Sequence, residues 1–294
     1  MRIVPGNLVA AVFVLVLGPA ARVDGQTLRP LETESATLLP SGSTQISLGT
    51  TYLRNRRFPA FTAPDFLNSQ DLVTAPEVEV RIGAGNWVEF QLRYELLSLD
   101  ESRSDGTKSN QFGGGDAEIF TKIRVLREGD RMPAVAAMFR IKLPNANRVD
   151  RLGTDETDFG LSILASKAIG PVTAHVNLGI QILGNPGVLN GDVKESGSGQ
   201  DDPFTWSLAV VSQPILQEHT GAYSIRALAS FGGREGSRFH NNLTTFDGGL
   251  QITRSAWTLY GGASAGLAGA AEDYGLRLGL IYAFELERLR GLFD

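Results

Sequence analysis

Val88-Glu89-Phe90-Gln91-Leu92-Arg93-Tyr94-Glu95-Leu96 alternates without a break: the even positions are apolar or aromatic, the odd ones charged or amide. A helix would put Glu89, Phe90 and Arg93 on overlapping faces, whereas a strand sends successive side chains to opposite sides. The preceding stretch, Glu77-Val78-Glu79-Val80-Arg81-Ile82, keeps the same parity. Working outward, the alternation predicts strands over roughly 43–53, 71–82, 87–99, 115–126, 133–143, 158–166, 172–183, 204–212, 221–232, 242–253, 257–266 and 273–284. Twelve is an even number, as in single-chain bacterial outer-membrane barrels, and most segments reach the roughly 9–11 residues a tilted strand needs to cross hydrocarbon.

The connections support the same reading. Short links are predicted at 83–86, 127–132, 167–171, 213–220 and 254–256, and long ones at 54–70, 100–114, 144–157 and 184–203. Barrels of this kind have short periplasmic turns and longer external loops, so both termini fall on the periplasmic side. Nearly every strand has one apolar face, and no amphipathic helix is available to cover it. That much apolar surface exceeds what a soluble monomer exposes, and in lipid every backbone group must be paired internally, so the sheet must close. The expected fold is all-β: a transmembrane antiparallel up-and-down β-barrel of about 12 strands, in the bacterial cell outer membrane.

The N-terminus carries Arg2 and an uncharged, mostly apolar run from Leu8 to Leu17. This suits a signal-peptide core and falls short of the roughly 20 residues of a spanning helix. Cleavage is expected after Gly25, with Ala20 or Ala21 as alternatives. The organisation predicted is a signal peptide over 1–25, a periplasmic N-terminal segment over 26–42, the barrel over 43–284 and a periplasmic C-terminal tail over 285–294. The chain contains no cysteine, which excludes disulfides, thiolate chemistry and a lipidated N-terminal cysteine. A net charge of −5 gives no reason to expect a nucleic-acid partner.

By parity, the lumen should be lined by Glu77, Glu79, Arg81, Glu89, Arg93 and Glu95 of the second and third strands. Glu118, Lys122, Arg124, Arg140 and Lys142 follow on the fourth and fifth, then His175, Asn177, Arg226 and Arg277 further on. Arg124, Arg140 and Lys142 are expected to form a basic cluster facing the acidic second and third strands, which would orient a polar solute in transit. The competing reading is that these charges simply neutralise one another. Pairing Ile82 with Val88 would oppose Arg81 to Glu89 and Glu77 to Arg93, whereas a shift of two residues brings like charges together. The first register is therefore expected.

In the last strand Tyr274, Leu276, Leu278, Leu280, Tyr282 and Phe284 form an outward stripe. Within it Gly279, Tyr282 and Phe284 resemble a C-terminal signal for the barrel assembly machinery, although a tail follows the final aromatic residue. Other motifs carry little chemistry. Gly113-Gly114-Gly115-Asp116 lacks the lysine and helix of a phosphate loop and is expected to begin a strand. The acidic run 153–158 does not have EF-hand spacing. None of His175, His219 and His240 has a serine two residues away on the same strand face, so no catalytic site, metal or cofactor is expected.

The chain resembles the outer-membrane transporter family named for the MetA pathway of phenol degradation. The resemblance is carried by Arg29-Pro30-Leu31-Glu32-Thr33-Glu34, by Gly113 to Asp116 with Lys122 and Arg124, and by Leu143-Pro144. It continues in Gly153-Thr154, Asp158, Ser166-Lys167 and Asn177-Leu178-Gly179. It implies a porin-like channel or transporter that passes small aromatic or hydrophobic solutes, with lipid, the solute and the assembly machinery as partners. The alternatives are a closed structural or surface-interaction barrel and, behind that, a membrane-embedded hydrolase.

Overall fold

The computed structural model describes residues 33–56, 67–103, 106–146, 152–153, 155–184, 202–217, 223–235 and 242–286. The expected signal peptide, most of the C-terminal tail, His219, His240 and most of the 184–203 connection lie outside these residues. Fourteen strand segments are present: β1 (Ser43–Arg56), β2 (Leu67–Ala84), β3 (Val88–Arg103), β4 (Lys108–Gly114), β5 (Glu118–Leu126), β6 (Ala134–Lys142) and β7 (Asp158–Ile169). The rest are β8 (Val172–Ile182), β9 (Phe204–Ser212), β10 (Leu216–Gln217), β11 (Ser224–Glu235), β12 (Leu243–Arg254), β13 (Trp257–Gly269) and β14 (Tyr274–Glu285).

All neighbours are antiparallel, and the sheet closes on itself. β1 pairs with β14 from Ser43↔Glu285 to Arg54↔Tyr274, and β9 pairs with β11 from Leu228↔Val211 to Glu235↔Phe204. β4 and β5 occupy successive stretches of one edge of β3, and β9 and β10 do the same along β11. The ring therefore has twelve positions, as the alternation predicts. Outward positions such as Leu92, Leu161, Ile163, Leu178, Ile180, Leu250, Leu276 and Leu278 are each about half exposed, an apolar belt that only hydrocarbon can cover. Aromatic pairs flank it: Tyr52 with Tyr274, Phe139 with Phe159 and Trp206 with Phe231 towards the end away from the start of β1. At the opposite end Trp257 lies against Tyr282 and Tyr282 against Phe284, with centroids 4.5 and 5.5 Å apart. This covering leaves Tyr282 buried, so the last of the expected lipid-facing tyrosines is roofed by its neighbours.

Several expectations are corrected. The predicted loops 54–70 and 100–114 are partly strand, because β1, β2, β3 and β4 continue well past the apolar belt. The glycine run does not begin a strand: Gly113 and Gly114 end β4, and pairing resumes at Glu118. A Cβ on Gly114 would sit 2.0 Å from the Tyr94 hydroxyl, so the glycine makes room for that ring.

The β2–β3 register is also corrected. Ile82 pairs with Phe90, Glu79 with Arg93 and Glu77 with Glu95, the like-charged arrangement that the charge argument rejected. The turn decides it: Gly85 takes a φ of 65°, and the hairpin closes at Ala84↔Val88, a tight geometry that fixes pairing more firmly than side-chain charge does. Higher up, β2 carries a bulge at Ala75-Pro76 relative to both β1 and β3. Proline cannot donate to a ladder, so a bulge is where a strand tolerates it. The extra residue reverses the parity, and Leu72 and Thr74 face inward above it while Glu77, Glu79 and Arg81 do so below.

The largest departure concerns the N-terminal segment. Residues 33–39, expected in the periplasm, lie inside the lumen: Thr33, Glu34, Ser35, Ala36, Leu38 and Leu39 are all buried. Ala36 and Leu38 pack against Ala134, Ala136, Leu164 and Met138 of β6 and β7. The chain then turns into β1 across Gly83, where a Cβ would come within 2.1 Å of the Pro40 carbonyl oxygen and 2.7 Å of that of Leu39. Gly83→Val is expected to expel the segment while sparing the barrel. In this cysteine-free chain a single Ala36→Cys label measures it: maleimide should react slowly in the parent and at least tenfold faster with Gly83→Val.

Candidate functional site: the filled lumen

Glu34 is the centre of the lumenal network. Its carboxylate accepts from Arg81 Nη2 and Nη1 at 2.9 and 3.2 Å and lies 3.8 Å from Lys122 Nζ. Its backbone is held as if by another strand: the Asn177 amide donates to the Glu34 carbonyl at 2.9 Å and accepts from the Glu34 N–H at 2.7 Å. Two residues on, the Ala36 N–H donates to Ser166 Oγ at 2.8 Å, and the Leu39 N–H donates to Glu89 Oε2 at 2.7 Å. The amides of Glu34, Ala36 and Leu39, which have no ladder of their own, are thus satisfied by β8, β7 and β3, and that of Thr37 donates to Ser35 Oγ within the segment.

From Glu34 the charges run sideways around the wall. Arg81 Nε lies 2.5 Å from Glu79, and Arg93 reaches Glu79 at 2.7 Å and Glu118 at 3.2 Å. Glu118 also accepts from Arg140. Lys122 Nζ sits 3.0 Å from Glu89, with both side chains wholly buried. Glu34, Glu79, Glu89 and Glu118 are therefore matched by Arg81, Arg93, Lys122 and Arg140. Burying a charge is tolerated only when it is paired, and here the pairing spans four strands and the inserted segment. Glu77 lies 3.8 Å from Arg93, which offsets its position opposite Glu95.

The expected basic cluster does not form. Arg140 belongs to the network above, and Lys142 is held between Asp116 at 3.3 Å and Asp158 at 2.6 Å. Arg124 sits at the rim that bears the β2–β3 turn and donates to its Asn86 carbonyl. Neighbouring strands carry the three bases at successive depths, and each finds its own acceptor. Arg226 pairs in register with Gln251 near the β12–β13 turn. Arg277 looks into the cavities described below.

His175 is buried, and its Nδ1 lies 2.8 Å from Ser166 Oγ across the β7–β8 ladder. Sequence spacing missed this pair because the partners meet across a hairpin, at Ser166↔His175. The serine is covered by the inserted segment, whose Ala36 N–H it accepts, so the pair acts as an anchor for that segment. Phe120 was also missed. It points inward between Glu118 and Lys122, with the Arg93 guanidinium 4.8 Å above its ring. Gly279 has a local reason to be glycine: a Cβ there would lie 2.3 Å from the Tyr260 ring and hydroxyl, and one on Gly49 would lie 3.0 Å from that hydroxyl.

Two cavities adjoin this network. One, of about 260 Å³, runs along β1, β2 and β14 beside Gln45, Ser47, Gly49, Glu77 and Tyr260. The other, of about 520 Å³, lies between the charged wall and β9, β11 and β12. They adjoin at Leu53, Arg56, Arg93, Glu118 and Arg277.

The fold has solved counterparts. The COG4313 outer membrane channel from Pseudomonas putida F1 superposes with a TM-score of 0.60 at 14% identity, over 84% of this chain and 97% of that one. The protein is an outer-membrane β-barrel. More distant matches are the beta domain of the Bordetella autotransporter BrkA (TM-score 0.47, 11% identity, 82% and 99% coverage) and the KdgM porin in complex with disordered oligogalacturonate (0.45, 9%, 82% and 99%). No protein-family model and no curated protein matches the sequence.

Lys122→Met would leave Glu89 charged in a buried site, and breaking such a pair costs about 3–5 kcal/mol. Unfolding in urea, followed by loss of heat-modifiable migration on gels, should show a loss of that order. Adding Glu89→Gln should recover more than half of it.

Proposed function

We propose that this barrel is a channel for small solutes, which pass along an off-axis path beside the inserted N-terminal segment. The observation that carries the reading is the pair of adjoining cavities, the larger between the charged wall and β9, β11 and β12 and the narrower along β1, β2 and β14, on the side of the lumen that the segment leaves unfilled. That side is built from small side chains such as Ser47, Gly49 and Thr51, which make a wall without narrowing the bore. The resemblance to the MetA-pathway transporter family supports small aromatic or hydrophobic compounds as the solutes, and membership of that family is part of the proposal. The lumenal residues from Glu77 to Arg277 then serve as the lining and its support, with no catalytic step. Gly279, Tyr282 and Phe284 are proposed as the strand-end signal read by the assembly machinery.

A second reading is favoured by the self-neutralised network around Glu34: a closed barrel whose interior is structural and whose long connections meet a partner. The two readings separate in planar bilayers and liposomes. A channel should give small, steady conductance steps and pass solutes of a few hundred daltons. Ser47→Trp, which fills the narrower cavity, should cut both at least fivefold while leaving heat-modifiable folding unchanged. Absence of conductance and of flux in well-folded parent protein would establish the closed barrel instead.

A further inference from the structure

The larger cavity has an uneven charge. Among the described residues its wall carries Arg56, Arg93, Arg140, Arg234 and Arg277 against Glu34, Glu118 and Glu272, five bases to three acids. Commitments run both ways: Glu34 is gripped by Arg81 and Arg93 by Glu79, neither partner being part of this wall, which leaves four bases to two acids, and Glu118 is shared between Arg93 and Arg140. Glu272 accepts from Ser264. The buried Nε of Arg140 meets no acceptor among the described residues. In a narrow space with low-dielectric walls, an excess of cations focuses the field and concentrates anions.

The same cavity has an apolar side. Leu53, Phe120 and Met138 line it, and Phe120 lies directly beneath the Arg93 guanidinium. A planar guanidinium binds a carboxylate with two parallel hydrogen bonds, which a point charge cannot do. A cavity of about 520 Å³ falls within the range of small-molecule sites, where a few polar groups fix orientation and apolar walls supply contact.

We propose that this cavity is a selectivity site for small organic anions, monocarboxylates with an apolar body, with the carboxylate on the arginines and the body against Phe120, Met138 and Leu53. The inference rests on the channel reading and names its substrate class. It differs from the sequence expectation in the residues that carry it. Arg124 and Lys142 play no part, and Arg56 and Arg234, which the alternation did not single out, do.

The test uses the full-length protein in planar bilayers under a potassium chloride gradient, and in liposomes with benzoate and benzylammonium, ions of similar size and opposite charge. The reversal potential should report chloride as several-fold more permeant than potassium, and benzoate influx should exceed that of benzylammonium at least fivefold. Arg234→Gln and Arg277→Gln should each lower both ratios at least twofold with total conductance retained, and Arg56→Gln substitutes for either one that fails to fold. Arg131→Gln, on the exposed β5–β6 connection, should change neither ratio. Conductance without anion preference, or with a preference for potassium and benzylammonium, overturns this inference and leaves the channel intact. Absence of any conductance or flux overturns the channel reading and this inference with it.

Discussion

A membrane core offers no water to a backbone N–H or C=O, so a sheet that lies in it must have no edge. The ladder between β9 and β11 meets that requirement here, because it joins the two ends of the strand order into a ring. Closure then sets the terms for everything inside. Every second residue of each strand is forced into a space that neither lipid nor bulk water fills. Charged residues there can persist only with partners, and the partners must come from other strands or from a segment brought in to supply them.

Glu34 shows how far that demand reaches. Arg81 and Lys122 on β2 and β5 both turn towards it, and Asn177 on β8 holds its backbone. Through one residue the inserted segment ties together strands on both sides of the lumen. The apolar side of the segment meanwhile completes a small core with β6 and β7. The segment is thus part of the barrel's interior, although it contributes nothing to the ring.

The ring itself was legible in the sequence because its signal is local: parity along nine or ten residues, as in 88–96, is set by whether a side chain meets lipid or lumen. Its interior was much less so. The β2–β3 charge argument failed because it considered two strands, whereas Arg93 finds Glu79 opposite it and Glu118 on a third strand. With partners available all round, charge no longer selects the pairing and the Gly85 turn does. Ser166 and His175 escaped for the same reason, since they meet only across the β7–β8 ladder. Residues 33–39 carry no periodicity, and their place is fixed by single contacts with distant strands. One trace was present: Gly83 and Gly279 are small where a neighbour comes too close for a Cβ, but a glycine alone does not say what passes over it.

The lumen has two unlike walls. β2, β3, β5, β6 and β7 carry interlocked charges and the inserted segment. β1 and β14 face them with Ser47, Gly49 and Thr51 and with glycines covered by the Tyr260 ring. Rigidity is concentrated on one wall and clearance on the other. Changes in bore can therefore accumulate at Ser47, Gly49 and Thr51 one residue at a time without disturbing the network around Glu34. A barrel divided in this way can drift towards new solutes while its scaffold stays under strict constraint.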